Sequence, residues 1–75
     1  MGTADLSTEA AQLRDAESAR DELRRALAAV DIRLPSLGLD PISLTSDYLT
    51  PLVELGCCNP SVARRLAETL RRHAT

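Results

Sequence analysis

The stretch Leu13-Arg14-Asp15-Ala16-Glu17-Ser18-Ala19-Arg20-Asp21-Glu22-Leu23-Arg24-Arg25-Ala26-Leu27-Ala28-Ala29-Val30 decides how this chain folds. Leu13, Ala16, Arg20, Leu23, Leu27 and Val30 recur at alternating spacings of three and four, and Leu6 and Leu34 extend the frame at either end. A helix gathers such positions on one face, and that face has to be buried against another helix, of this chain or of a partner. Ser7 is placed to cap the free N–H groups at the start, and Glu9 favours the positive end of the helix dipole. Asp21 and Arg25, four apart with the acid first, add roughly a few tenths of a kcal/mol. No Gly or Pro interrupts the run up to Asp31, and Pro35 stops the helix at or before Leu34. The spacing predicts a first helix over 7–33, with residues 1–6 fraying ahead of it.

Downstream, residues 34–59 are cut by Pro35, Gly38, Pro41, Pro51 and Gly56. Asp40-Pro41 and Thr50-Pro51 each pair a cap residue with Pro at the first helical position, so each predicts a short helix, the second ending at Gly56. The segment also holds Leu37, Leu39, Ile42, Leu44, Leu49, Leu52, Val53 and Leu55, more apolar material than a disordered linker carries. It is expected to be a packed irregular connection. Asn59-Pro60 repeats the cap signal and opens a last helix over 60–74. Its apolar face is Val62, Leu66, Ala67, Leu70 and Ala74; Arg64, Arg65, Glu68, Arg71 and Arg72 face the other way, with Glu68 able to bridge Arg64 or Arg72.

The apolar supply is aliphatic: thirteen Leu, three Val, two Ile and many Ala, with Tyr48 the only aromatic. Leu and Ala suit helix-on-helix packing, whereas sheets recruit aromatic and β-branched residues. The expected fold is therefore all-α and single-domain over 1–75. Its two long helices would pack antiparallel, Leu23, Leu27 and Val30 against Val62, Leu66 and Leu70. A chain this short buries only about 60% of its unfolded surface, which leaves a thin core.

A net charge of −2 is too small to imply a polyionic partner. It is unevenly spread, −5 over residues 1–59 and +3 over 60–75, an asymmetry suited to a head-to-tail contact or an anion site. All nine basic residues are Arg. No apolar run approaches the ~18 residues of a membrane span, and no basic-then-apolar signal opens the chain, so no membrane contact and a cytoplasmic location are expected. Cys57 and Cys58 then stay reduced, one packed at a helix start and the other partly exposed.

Signatures of chemistry are missing, and neither an enzymatic activity nor a cofactor is expected. His73 sits three residues from the end, where an imidazole serves as a solvated cation on the helix dipole. No glycine-rich phosphate loop occurs. Adjacent cysteines point apart, and with one distant histidine they do not make a metal site. Asp15, Glu17, Asp21 and Glu22 alternate with arginines, as on a solvated helix surface.

Three functional readings follow. The first is a non-enzymatic protein–protein interaction module, an adaptor or regulator binding a protein partner or a second copy. Its partner-binding residues would be Leu6, Leu13, Ala16 and Arg20, where the first helix outruns the shorter last one. Arg20 falls in the leucine seam, either fixing register in a dimer or lying at the rim with its stem on the core. The second reading is a small DNA-binding regulator. Leu52 to Arg65 resembles a helix-turn-helix, with Asn59, Ser61, Arg64 and Arg65 as candidate nucleic-acid contacts. The third is a precursor peptide, in which Ser43, Thr45, Ser46, Thr50, Cys57 and Cys58 are the modifiable residues.

Leu34-Pro35-Ser36-Leu37, Asp40-Pro41, Pro51-Leu52-Val53-Glu54-Leu55-Gly56, Cys58-Asn59-Pro60 and Ala63-Arg64-Arg65-Leu66-Ala67 together resemble short uncharacterised actinobacterial proteins, over roughly residues 23–73. The resemblance implies no catalytic residues. It does imply that the proline-rich middle belongs to the fold.

Overall fold

The computed structural model describes residues 9–45 and 50–74. The cap expected at Ser7 lies outside them. Helix α1 spans Glu9–Ala29 and stops four residues before the expected end at 33. Pro35 is not what stops it. The Ile32 N–H donates to the Leu27 carbonyl (2.9 Å) and the Asp31 N–H to the Ala28 carbonyl (3.0 Å), the paired bonds of a Schellman turn. Asp31 takes the left-handed position of that turn, with φ 62°. Leu27 and Ile32, the residues such a turn brings together, are both buried.

A non-glycine residue in this conformation carries a steric cost of about 1–2 kcal/mol, somewhat less for Asp. Asp31→Gly is therefore expected to raise the stability by up to about 1 kcal/mol, measured by urea unfolding. A loss instead would show that the Asp31 carboxylate, 3.8 Å from Arg65, holds the turn.

The expectation of an all-α fold is overturned by a two-stranded antiparallel sheet. Strand β1 is Gly38–Leu39 and strand β2 is Val53–Glu54, with Gly38 opposite Glu54 and Leu39 opposite Val53. The Asp40 N–H donates to the Leu52 carbonyl (2.9 Å) and prolongs the ladder. The early end of α1 explains the ribbon. The chain returns along α1 as extended segments, and pairing them satisfies backbone groups that a further helix would have bonded internally. The helix expected to begin at Thr50-Pro51 is thus replaced by β2. Both strands pack on α1.

Between the strands lies α2, Pro41–Thr45, at the expected Asp-Pro start. The Asp40 Oδ1 accepts from the Ile42 N–H at 3.3 Å. Ser43 is 1% exposed, and its hydroxyl works in both directions. It donates to the Asp40 carbonyl (2.7 Å) and accepts from the Leu52 N–H (2.9 Å), so one buried oxygen ties α2 to the segment leading into β2.

Helix α3 covers Pro60–His73, one residue shorter than expected. The Asn59 Oδ1 accepts from the Val62 N–H at 2.9 Å, and Pro60 occupies the first turn, where its missing N–H costs nothing.

Leu27, Ile32 and Leu37 form the buried centre, and Leu23, Leu34, Val53, Val62 and Leu66 pack around it. Each centre residue contributes about 1.5–3 kcal/mol of burial. Leu23 and Leu27 do join Val62 and Leu66 in this cluster. Val30 and Leu70, expected in the same interface, are exposed: the first lies in the turn after α1, and the second near the C-terminal end of α3.

Candidate interaction surface

The residues expected to bind a partner do not form an open face. Leu6 lies outside the described residues. Leu13 is half-buried and Ala16 is 6% exposed. A groove of about 500 Å³ runs beside them, lined by Ala11, Asp15, Ala16 and Ala19 of α1 and by Pro51 and Val53 of the returning chain. The expectation compared α1 with α3 alone. The segment before β2 supplies the cover that α3 is too short to give.

Arg20 turns its charge along its own helix. Its Nε donates to the Asp21 Oδ1 at 2.9 Å, and Arg24 stands 3.6 Å from the same oxygen. Asp21 therefore pairs with Arg20 and Arg24, not with Arg25 as the spacing suggested. The hydrogen bond from Arg20 is the main reason the Asp21 carboxyl is held below its ordinary range; the charges of Arg20, Arg24 and Arg25 add to it, against the opposing effect of burial. The same bond raises the Arg20 guanidinium.

Because the folded chain holds the Asp21 proton less tightly than the unfolded chain, this contribution to stability is present above the unfolded carboxylate value of about 3.9. It is lost as pH falls through the lower folded value. The melting temperature of Asp21→Asn should therefore lie below that of the native chain near neutral pH, and the gap should close as the carboxylate is protonated in acid. A gap that persists there would mean that Asp21 acts through packing, not charge.

The candidate nucleic-acid contacts are engaged within the chain or lack the framework to act. Asn59 caps α3, and the Ser61 hydroxyl donates to the Asn59 Oδ1 at 2.9 Å. Arg65 donates to the Asp31 carbonyl and pairs with its carboxylate. Arg64 is exposed. A helix-turn-helix needs a helix ahead of the turn, and β2 stands there instead. Glu68 bridges Arg72 (3.6 Å), one of the two partners its spacing allowed.

Cys57 and Cys58 are both free thiols and both exposed, so neither packs at the start of α3 as expected. Among the described residues, no group of three or more His, Cys, Asp or Glu side chains is placed to hold a metal ion. Of the residues that a modifying enzyme would need to reach, Ser43 is buried and doubly hydrogen-bonded, and Ser46 lies outside the described residues.

What the surface does offer is aliphatic. Val30, Ile42, Leu44, Leu52, Leu55 and Leu70 are between 39% and 70% exposed. Ile42, Leu44 and Leu52 belong to α2 and the segment that Ser43 ties to it, Leu55 follows β2, and Leu70 stands on the outer part of α3. Sequence reading missed this surface because every one of these residues reads equally well as core. No helix among the described residues is long and apolar enough to cross a membrane. No family model matches the chain, and neither curated proteins nor solved structures show a match to it.

Proposed function

We propose that this chain is a non-enzymatic protein–protein interaction module. One observation carries the reading: among the described residues, six large aliphatic side chains are exposed, whereas only four apolar residues are buried. Scattered surface leucines are ordinary, but an exposed set larger than the core itself marks a surface awaiting cover. The contact surface is then the α2–β2 side and the outer part of α3, in place of the leucine stripe on α1.

The test is a photo-crosslinking amino acid placed in turn at Ile42, Leu55 and Leu70, with Arg14 on the solvent face of α1 as control. In the native host, discrete protein adducts are expected from the three apolar positions and none from the control. Adducts at no position, or equally at all four, would reject the reading.

A further inference from the structure

We propose that Cys57 and Cys58 are the two ligands of a site for one monovalent copper ion. The two thiols are free, exposed and adjacent, on the segment between β2 and α3. That segment is held at both ends. Gly56, with φ 78°, lies against Ser36, and Asn59 caps α3 through the Val62 N–H. Between these anchors, Cys57 and Cys58 make no hydrogen bond among the described residues, by backbone or by side chain. In extended chain neighbouring side chains point apart. Here no hydrogen bond opposes the rotation about the linking bonds that brings the two sulfurs to one side.

The chemistry of the pair selects the ion. A relaxed disulfide wants α-carbons about 4.4–6.8 Å apart, whereas those of adjacent residues stand about 3.8 Å apart across a trans peptide. An ion between the sulfurs asks less of the chain. Metal–thiolate bonds of about 2.3 Å let the sulfurs stand up to roughly 4.6 Å apart, in place of the ~2.05 Å of a disulfide. Thiolates favour soft ions: monovalent copper, zinc and the iron of iron–sulfur clusters. Structural zinc sites and iron–sulfur clusters each take four protein ligands. Among the described residues, no third His, Cys, Asp or Glu joins the pair. Monovalent copper, a closed-shell ion, is complete with two thiolates in a near-linear arrangement. The spacing argument against a metal site thus holds for tetrahedral zinc and does not reach an ion content with two ligands.

Binding displaces a proton from each thiol, so the ion and its two thiolates together carry one net negative charge. Cys58 directly precedes the cap of α3, and the positive end of that helix dipole favours the negative complex. Neither cysteine belongs to the exposed aliphatic surface, so this site and the interaction reading stand or fall separately.

The experiment is a titration of the reduced native chain with monovalent copper, without oxygen and against a chromophoric copper(I) chelator. Cys57→Ser and Cys58→Ser are titrated alongside, with a third variant that combines Cys58→Ser and Arg14→Cys. This last keeps two exposed thiols but separates them, Arg14 being exposed on α1. Circular dichroism checks that each variant stays folded. The native chain is expected to hold one ion per chain, with X-ray absorption showing two sulfur neighbours. Losing a group that merely orients a ligand costs roughly 10–100-fold in affinity, so losing a ligand should cost all three variants more than about a hundredfold. A native chain that yields its copper to the chelator as readily as the single variants overturns the inference. So does a separated pair that binds as tightly as the native one. An ion shared between two chains would make the cysteines a bridge instead of a chelate, and overturns it as well.

Discussion

Gly56→Ala is expected to lower the stability of this chain by about 2–4 kcal/mol. Two independent effects add. Gly56 follows β2 with φ 78°, a backbone conformation that costs a residue with a Cβ about 1–2 kcal/mol. An added Cβ would also stand 2.4 Å from the Ser36 Cβ and 3.0 Å from the Ser36 carbonyl carbon and oxygen. Contacts that close to backbone atoms cannot be relieved by turning a flexible side chain, so the ribbon itself must shift. Gly38→Ala is the natural control, because the nearest atom to its added Cβ is the Ser36 oxygen at 3.9 Å. Urea unfolding followed by circular dichroism should show a much larger loss at Gly56 than at Gly38. Equal losses would mean that glycine content in the ribbon matters, not the close approach at Ser36.

Leu27→Ala should be costlier still, about 2–5 kcal/mol. Leu27 is the α1 residue at the centre of the cluster, and its carbonyl also accepts from the Val30 and Ile32 N–H groups in the turn that ends the helix. Truncation removes the side chain that packs in this turn and opens a cavity beside Ile32 and Leu37. A stability of ~0.05–0.15 kcal/mol per residue leaves a small domain little margin, so the variant should be largely unfolded at 37 °C. Leu70→Ala, at an exposed position outside the cluster, should leave the monomer's stability within about 0.5 kcal/mol of native. Comparable losses from the two truncations would contradict the placement of the core.

These effects also separate what the residues announced from what they concealed. The Asp40-Pro41 and Asn59-Pro60 pairs marked the starts of α2 and α3 because a side-chain oxygen followed by Pro is a local signal, independent of tertiary context. The end of α1 was hidden. A Schellman turn normally declares itself by glycine, and here Asp31 occupies that position, so the pattern seemed to continue to the next proline.

The ribbon was hidden for a different reason. Strands of two residues have no room for an alternating pattern, and Leu52-Val53-Glu54-Leu55 after Pro51 resembles a helical turn equally well. Missing the ribbon also hid the groove beside Ala16, since the chain entering β2 lines it. The exposure of Cys57 and Cys58 was equally illegible, because it depends on where the chain leaves Gly56.

The attachment of α3 has a dynamic consequence. None of its residues is buried; Val62 and Leu66 touch the core, and Arg65 reaches Asp31. The central residues Leu27, Ile32 and Leu37, by contrast, lie within eleven consecutive positions of the chain and need nothing from α3 to find one another. Partial opening should therefore begin with release of α3 from a body that keeps its own centre. Amide hydrogen exchange should be faster in the last turns of α3 than around Leu23 to Leu27, and a partner that captures α3 should slow it selectively. The helix best suited to leave the fold also carries Leu70 and Arg64, both exposed. A contact made at Leu70 would therefore act on the most weakly held element of the fold.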